Sequence, residues 1–444
     1  MEKIKSDSFN FSNLGIAPKI LDILQKWGFN QPTLIQSKSI PLAIKGNDLV
    51  GIAQTGTGKT LAFGIPMIQR LSQIGGRGLL LLPTRELASQ ANMHLKNIGA
   101  RFGLRTAVLI GGEPKNIQLR TLRQKPRIII ATPGRLIDHI KSHSINLSDI
   151  KILVLDEADM MFDIGFAPQI NEILKSVPRE RQTMLFSATM PPAIMSLVAK
   201  HMKLPINIEV APSGTPAENI NQEMVIISKE KRVAQLEKIL TSYHGSVLIF
   251  CRTKHGVRKL TIKIRQMGHT AAEIHSNRSL SQRSNALRAF KNGGVRVLVA
   301  TDIAARGIDV KGIELVLNFD LPENAGDYVH RIGRTGRAGN AGQAISFVSP
   351  TEMREVKKIE RIIKKTIPLT KLAEPEYDSY ASKQGNQNKK RFNNYNQNNN
   401  LKRSPRGRQW NKRGRSQKFA RNKKFNLQAR DLPKGDKNNR RKNH

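Results

Sequence analysis

The chain lacks several features that would place it among secreted, disulfide-bonded or membrane proteins. It has one cysteine, Cys251, in 444 residues, which excludes a disulfide framework and any zinc site built from several cysteines. No run approaches the roughly 18 apolar residues that a membrane span needs, and the N-terminus has no apolar stretch typical of a signal peptide. Acidic residues are also scarce. The chain has 34 aspartates and glutamates against 74 lysines and arginines, which gives a net charge of +40. We therefore expect a cytoplasmic protein without membrane contact whose partners are polyanions, nucleic acid first.

The positive charge is concentrated at the C-terminus. Residues 381–444 contain 21 lysines and arginines, two aspartates, and no isoleucine, valine or methionine. Such a segment buries too little apolar surface to offset its chain entropy, so we predict a disordered basic tail rich in Asn and Arg. Five aromatic residues are spread among these charges: Phe392, Tyr395, Trp410, Phe419 and Phe425. Aromatic rings stack on unpaired bases, which favours RNA contact over the alternative that the tail only keeps the protein soluble.

The rest of the chain alternates short apolar runs with segments of helical length. The runs lie at Asp48–Ala53, Gly78–Leu82, Arg127–Ala131, Ile152–Leu155, Thr183–Phe186, Val247–Phe250, Val295–Ala300, Glu314–Asn318 and Ala344–Val348. This pattern is typical of buried parallel strands in an α/β fold. A polar stretch containing Pro and Gly, residues 210–219, interrupts it as a linker. The sequence therefore predicts α/β domains over 1–209 and 220–380, the latter with a closing helix at Glu352–Lys365.

A phosphate-binding loop follows the first apolar run. The segment AQTGTGKT, Ala53–Thr60, joins a predicted strand to a predicted helix. In a Walker A loop the backbone N–H groups cradle phosphates, so we expect Lys59 to reach the β- and γ-phosphates and Thr60 to ligate Mg²⁺. The strict pattern begins with Gly, whereas this chain has Ala53.

Two further motifs supply chemistry for phosphoryl transfer. An apolar strand ends in Asp156-Glu157-Ala158-Asp159, where Asp156 would hold Mg²⁺ and Glu157 would polarise the attacking water. The segment His330–Arg337 carries three arginines at regular spacing with interleaved glycines. Arginines supplied from a separate domain stabilise a transferring phosphoryl group, so hydrolysis would require closure of the two domains.

These motifs, in this order and spacing, resemble those of the DEAD-box family of ATP-dependent RNA helicases over about Phe9–Thr366. The family also matches GFNQPTLIQ at Gly28–Gln36, PTREL at Pro83–Leu87, Gly111-Gly112, TPGR at Thr132–Arg135, Ser187–Thr189, and ATD followed by ARGID between Ala300 and Asp309. Ala53 is common at the start of this family's phosphate loop. The resemblance implies two RecA-like domains with parallel sheets joined by a flexible linker, ATP and Mg²⁺ as cofactors, RNA as partner, and an adenine-reading Q motif at residues 9–37.

The resemblance also assigns roles to individual residues. The nucleotide would be held by Phe11 against the base, Gln36 through its amide, Asp309 at the ribose, and the loop residues Ala53, Gln54, Thr55, Gly56, Thr57, Gly58, Lys59 and Thr60. Arg334 and Arg337 would be the arginine fingers, completing a catalytic set with Lys59, Asp156 and Glu157. RNA contacts are assigned to Thr84, Arg85, Gly112, Thr132, Arg135, Arg283 and Thr301. Coupling of hydrolysis to strand separation is assigned to Asp159, Ser187, Thr189, His330 and Arg331. Many relatives have Gln where this chain has Leu280, so only Arg283 transfers from that motif.

The implied activity is RNA-dependent ATP hydrolysis coupled to local, sequence-independent duplex unwinding. Two alternatives stay open from the residues: a DNA-dependent translocase, which DNA would stimulate equally, and a non-enzymatic annealing protein acting through its tail. The compact core, short N-terminus and basic tail look most like bacterial RhlE-type members. Ribosomal or messenger RNA is the expected target, with ribosome biogenesis, RNA decay and cold adaptation as candidate pathways.

Overall fold

The computed structural model describes residues 10–54, 56–210, 220–305, 310, 312–336 and 341–371, which fall within one compact unit. Most of the predicted linker, the whole of the tail, and three predicted site residues (Thr55, Asp309 and Arg337) lie outside this range. The described part contains two seven-stranded sheets. We refer to residues 10–210 as the N-terminal half and to residues 220–371 as the C-terminal half.

The N-terminal half is an all-parallel sheet covered by helices. Its strands are β1 (Leu49–Ile52), β2 (Arg77–Leu81), β3 (Thr106–Leu109), β4 (Ile128–Ala131), β5 (Ile150–Leu155), β6 (Gln182–Ser187) and β7 (Ile206–Glu209). They lie side by side in the order β3-β4-β2-β5-β6-β1-β7. The helices are α1 (Pro18–Lys26), α2 (Leu34–Ile44), α3 (Lys59–Ile74), α4 (Arg85–Ala100), α5 (Lys115–Arg123), α6 (Pro133–Lys141), α7 (Ala158–Asp163), α8 (Ala167–Ser176) and α9 (Pro192–His201). Separate apolar cores form on the two faces of the sheet.

The C-terminal half repeats this plan. Its strands are β8 (Ile220–Ile226), β9 (Val247–Phe250), β10 (Ala271–Ile274), β11 (Val297–Ala300), β12 (Leu315–Asn318), β13 (Gly342–Val348) and β14 (Leu369–Lys371). Their order is β10-β11-β9-β12-β13-β8-β14, again all parallel. The helices are α10 (Arg232–Ser242), α11 (Lys254–Gln266), α12 (Leu280–Lys291), α13 (Asp302–Ala305), α14 (Ala325–Ile332) and α15 (Met353–Ile363).

The fold class predicted from the sequence is confirmed: two α/β halves with parallel sheets. The closing helix is α15, which buries Val356, Ile359 and Ile363 on one face as predicted. Among the described residues, no helix is both long enough and apolar enough to span a membrane. Because all strands of a sheet run the same way, their carboxyl ends meet at one edge, where ligands bind in open α/β sheets. That edge carries nearly all of the described site residues.

Candidate functional site

The phosphate loop turns sharply between β1 and α3. Gly56 and Gly58 have φ of 86° and 95°, a left-handed conformation that glycine adopts without steric cost. A Cβ atom at Gly58 would come within 2.4 Å of Nε2 of Gln36. The Ala53 N–H donates to the Ser187 carbonyl oxygen (2.9 Å), which ties the start of the loop to β6. The loop is therefore a fixed cradle that ends at the N-terminus of α3 and presents its N–H groups there.

Lys59 is buried at the base of this loop and already has partners. Its Nζ donates to Oε1 of Glu157 (2.8 Å) and to the carbonyl oxygen of Ala53 (3.1 Å), and lies 3.9 Å from Oδ1 of Asp156. Burial by itself would lower the pKa of Lys59, but the negative charges of Glu157 and Asp156 outweigh burial and raise it. The structure therefore presents a charged ammonium group beside two carboxylates, as the sequence predicts.

The two carboxylates follow β5 directly. The Asp156 N–H donates to the Leu81 carbonyl oxygen of β2 (3.1 Å), and the Glu157 N–H donates to Oδ1 of Asp156 (3.0 Å). Glu157 has φ of 54°, an uncommon conformation for a non-glycine residue that often marks a functional site. Burial raises the pKa of Asp156 to about 7, with Lys59 opposing the shift and Glu157 adding to it. The positive charge of Lys59 therefore does not offset the cost of burying the ionised Asp156 carboxylate, and a bound cation would stabilise the ionised form.

Asp159 connects this acidic motif to residues 187–189 and to the C-terminal half. Its Oδ2 accepts from the backbone N–H groups of Ala188 (3.1 Å) and Thr189 (2.9 Å) and from the Thr189 hydroxyl (2.9 Å). Its own N–H donates to the Ser187 hydroxyl oxygen (3.1 Å), and Nε2 of His330 lies 3.9 Å from Oδ2. Although burial would raise the pKa of Asp159, His330, Lys59 and these hydrogen bonds lower it. The predicted coupling residues Asp159, Ser187, Thr189 and His330 are thus brought together.

The two Q-motif residues predicted to contact adenine, Gln36 and Phe11, are both buried. Gln36 accepts from the Thr33 N–H through Oε1 (2.9 Å) and donates to the Gly58 carbonyl oxygen through Nε2 (3.0 Å). One N–H and one lone pair of the amide stay available for a base. Phe11 packs in the apolar core with 3% of its surface exposed, so its predicted contact with adenine uses at most one edge of the ring. The side chain predicted to read the base is thus in direct contact with the phosphate loop.

The predicted RNA-contacting residues of the N-terminal half lie at helix starts along the carboxyl edge. The Thr84 hydroxyl accepts from the Leu87 N–H and caps α4, and Thr132 precedes α6. The Arg85 guanidinium lies against Gly111 and Gly112, since a Cβ atom at Gly112 would fall within 2.1 Å of Nη1 of Arg85. The glycine pair therefore leaves the space that Arg85 occupies.

Sequence reasoning missed Gln118, which holds the Arg135 side chain. Nε2 of Gln118 donates to the Ile110 carbonyl oxygen (2.8 Å), while Oε1 accepts from Nη1 of Arg135 (3.1 Å) and lies 2.9 Å from Nε2 of His139. Because an amide oxygen only accepts, His139 carries its proton on Nε2, and Nδ1 accepts from the Ser144 hydroxyl (2.7 Å). Burial, together with Lys115 and Arg135, lowers the pKa of His139, consistent with a neutral ring. Only the surrounding fold identifies Gln118, because nothing in its sequence neighbourhood marks it.

Arg283, predicted to contact RNA, bridges the two halves. Its Nη2 lies 2.8 Å from Oε1 of Glu86 in α4, and both side chains are about 10% exposed. Repulsion from Arg283, after burial, contributes to lowering the pKa of Arg85. Thr301 lies at the carboxyl end of β11, and its carbonyl oxygen accepts from Ala304 and Ala305. Arg283 and Thr301 thus lie at the carboxyl side of the C-terminal sheet, and Arg283 contacts the helix that follows Thr84 in the N-terminal half.

The two described arginines of the His330–Arg337 motif, Arg331 and Arg334, make different contacts. Arg331 is 2% exposed and pairs with both oxygens of Asp302, with Oδ1 of Asn318 (3.0 Å) and with the Asp320 carbonyl oxygen (2.6 Å). It therefore stabilises the C-terminal half internally, whereas its neighbour His330 lies 3.9 Å from Asp159 of the N-terminal half. Nε of Arg334 donates to the His330 carbonyl oxygen (3.2 Å).

Comparisons with known proteins identify the family to which the chain belongs. Residues 33–197 match the family model of DEAD/DEAH box helicases, and residues 230–339 match that of the helicase conserved C-terminal domain. The chain is similar to the ATP-dependent rRNA helicase RRP3 of Scheffersomyces stipitis (40% identity over 73% of this chain and 68% of the relative). It is equally similar to the DEAD-box ATP-dependent RNA helicase CshA of Geobacillus kaustophilus (40% identity, 73% and 70%). Its fold matches S. cerevisiae Dbp5 bound to RNA and ADP BeF3 (TM-score 0.74, 29% identity, 84% and 98%). The chain therefore belongs to the DEAD-box ATP-dependent RNA helicases.

Proposed function

We propose that this enzyme hydrolyses ATP at the loop of Lys59 while RNA lies across the carboxyl edges of both halves, and that closure of the halves separates a few base pairs. The observation that carries this mechanism is Asp159, which contacts residues 187–189 of its own half and lies 3.9 Å from His330 of the other. Relatives that are RNA helicases favour this activity over a DNA translocase or a protein that anneals RNA only through its tail.

In this mechanism Lys59 binds the β- and γ-phosphates and Glu157 orients the attacking water. Arg334, from the C-terminal half, stabilises the charge that develops on the γ-phosphate. Arg337 and Asp309 keep their predicted roles as second arginine finger and ribose contact, and Thr55 its place in the loop. Lys59 must carry its positive charge when phosphate arrives. The negative charges of Glu157 and Asp156 raise the pKa of Lys59 and so keep it protonated.

The residues present fit a magnesium ion. Asp156 is buried, its pKa is raised to about 7, and Lys59 is the only cation placed near it and Glu157 in the described part of the chain. Oxygen ligands of this kind suit Mg²⁺, which is held by one or two carboxylates together with phosphates. Asp156 and the Thr60 hydroxyl would hold the ion, which would neutralise phosphate charge when bound.

The test is ATP hydrolysis with and without RNA. Glu157→Gln should abolish RNA-stimulated hydrolysis, because an amide cannot accept the proton of the attacking water, while nucleotide binding persists. Glu180→Gln, at an exposed position, is the matched control and should behave as wild type. Wild-type hydrolysis by Glu157→Gln, or equal stimulation by DNA, would contradict the proposal.

Arg334 allows a second test of the same reaction. Arg334→Ala should bind nucleotide normally but hydrolyse it about 10³-fold more slowly, the range reported for arginine fingers. Circular dichroism must show a folded protein, since Arg334 is buried. Unchanged turnover would remove Arg334 from the mechanism.

We further propose structured ribosomal or messenger RNA as the target, in the cytoplasm, and membership of the RhlE-type subgroup. The named rRNA helicases among the relatives support a role in ribosome biogenesis. Crosslinking the protein to RNA in cells and sequencing the bound fragments would test the target. Truncation after residue 380 should weaken the salt dependence of RNA binding, since the tail would neutralise phosphates.

A further inference from the structure

Helix α11 presents a solvent-exposed face without a single acidic side chain. Its 13 residues, KHGVRKLTIKIRQ, contain five lysines and arginines. The buried face consists of Val257, Leu260, Thr261 and Ile264. The cations Lys254, Arg258, Lys259, Lys263 and Arg265 are all exposed. The helix thus has one apolar face against the sheet and one strongly basic face outward.

Three of these cations have no side-chain partner among the residues that the structure describes. Lys254 donates to Oδ1 of Asn277 (3.1 Å) and Arg265 donates to the Ala271 carbonyl oxygen. The side chains of Arg258, Lys259 and Lys263 make no hydrogen bond or ion pair with the described residues. We call these three residues the α11 stripe. Their charges lie on the surface, and no described acidic side chain pairs with them.

This arrangement opposes the stability of the helix. Lys254 and Arg258, and likewise Lys259 and Lys263, are like-charged pairs at i,i+4, each of which destabilises a helix by about 0.2–0.5 kcal/mol. Helix α15 carries four lysines and arginines, but the acidic residues Glu355 and Glu360 are interleaved with them, so its net charge is lower than that of α11. A role in solubility alone does not require such repulsion, whereas a polyanion bound along the face would relieve it.

The stripe adjoins the predicted RNA edge. Helix α11 begins directly after β9 at the carboxyl edge of the C-terminal sheet, and Lys254 contacts Asn277 in the loop that leads to α12. That helix carries Arg283, which lies on the same edge. From there α11 runs about 20 Å along the outer surface, at 1.5 Å per residue. A strand leaving the edge on this side would pass over the stripe.

We propose that the α11 stripe binds the phosphate backbone of RNA that extends beyond the edge lined by the family motifs. The inference rests on the proposed function, because it takes RNA as the polyanion already held at the adjoining edge. Lysine and arginine contacts to phosphate are independent of sequence, and each displaces condensed counterions. The stripe would therefore lengthen the RNA footprint and add affinity for long substrates only.

The test compares two full-length variants with equal loss of charge. The stripe variant carries Arg258→Gln, Lys259→Gln and Lys263→Gln. The control carries Lys357→Gln, Lys358→Gln and Arg361→Gln on α15, all exposed. RNA affinity is measured over a series of salt concentrations with an oligonucleotide of about 6 nucleotides, near the size of a single binding site, and with a duplex bearing a long single-stranded extension.

On the long RNA, the stripe variant should lose about 2 to 3 from the slope of log affinity against log salt, because three phosphate contacts disappear. The short oligonucleotide should bind both variants and the wild type equally, and should stimulate ATP hydrolysis equally, which also shows that the stripe variant is folded. If the stripe variant and the α15 control had equal slopes on the long RNA, the inference would be overturned. The result would then favour an acidic protein as the partner of the stripe. Absence of RNA-stimulated hydrolysis in the wild type would instead refute the proposed function. If the stripe variant fails on the short oligonucleotide, Lys259→Gln and Lys263→Gln are measured singly; each should lose about 0.7 to 0.9 from the long-RNA slope, and unchanged slopes in both would also overturn the inference.

Discussion

At the scale of single residues, Gln118 shows how a buried amide can set the position of a binding group. It joins the Ile110 carbonyl, Arg135 and His139 across β3, α5 and α6. Gln118→Ala should raise the RNA concentration for half-maximal ATPase stimulation about tenfold, because loss of a buried hydrogen-bond partner costs about 1–3 kcal/mol. The turnover at saturating RNA should change much less. Gln124→Ala, exposed at the end of the same helix, is the control, and an equal effect of both would contradict the positioning role.

The glycine pair after β3 makes a second prediction at this scale. Gly112→Ala should weaken RNA binding by about tenfold or more while leaving nucleotide binding intact, because φ is 79° and the new Cβ would fall on Arg85. Gly103→Ala is a matched control, since its φ is 67° but no atom lies within 4 Å of the added Cβ. Both variants carry backbone strain of about 1–2 kcal/mol, measurable as a shift in the free energy of unfolding. RNA affinities that fall equally in both would assign the effect to strain instead.

At the scale of elements, apolar composition predicted the central strands and missed several others. Every predicted run overlaps an observed strand, because these strands are largely buried and therefore apolar: β1, β2, β4, β5, β6, β9, β11, β12 and β13. The missed strands β3, β7, β10 and β14 lie at sheet edges, where fewer neighbours demand apolar side chains. Strand β8 is internal but carries Asn221, Gln222 and Glu223, and Gln222 is satisfied by the Tyr328 hydroxyl (3.1 Å). The phosphate loop was predicted because residues adjacent in the sequence form it. Gln118 was missed because its hydrogen-bond partners, Ile110, Arg135 and His139, are distant from it in the sequence.

The elements of the C-terminal half are joined by Glu352, which makes their stability dependent on pH. Its carboxylate pairs with Arg232 (3.0 Å) and Arg252 (3.1 Å). Burial would raise the pKa of Glu352, but the Ser349 N–H and both arginines lower it. A depressed pKa stabilises the folded state above the unfolded value of about 4.5, and that stability is lost as pH falls through the lower folded value.

Glu352→Gln should therefore reduce the free energy of unfolding by about 1–3 kcal/mol near neutral pH, the range for hydrogen bonds to charged groups. The difference from wild type should shrink in denaturant titrations below pH 4.5. Glu355→Gln provides the control, because the Glu355 carboxylate makes no hydrogen bond or ion pair with the described residues. A difference that stays constant from pH 7 to pH 3 would contradict the titration of Glu352.

At the scale of the whole molecule, the ion pair between Glu86 and Arg283 joins the halves (2.8 Å). Each charge reversal alone, Glu86→Arg or Arg283→Glu, should impair RNA-stimulated hydrolysis, because like charges would then face each other. The double reversal should recover about 1–3 kcal/mol of coupling, the range found for contacting residues. If Arg283 acted only on RNA, the double variant would be no better than the worse single one. The measurement is the RNA concentration for half-maximal stimulation in all four proteins.

The contacts of Lys59 have a consequence for the order of events in the cycle. Its ammonium is buried and bound to Glu157 and to the Ala53 carbonyl oxygen, so an arriving phosphate would compete with the enzyme's own carboxylate. Nucleotide binding and the release of Glu157 from Lys59 would therefore be thermodynamically linked. In the proposed mechanism, a phosphate bound by Lys59 would free Glu157 to orient the attacking water. Nucleotide binding would thus itself release the carboxylate that acts in the next step.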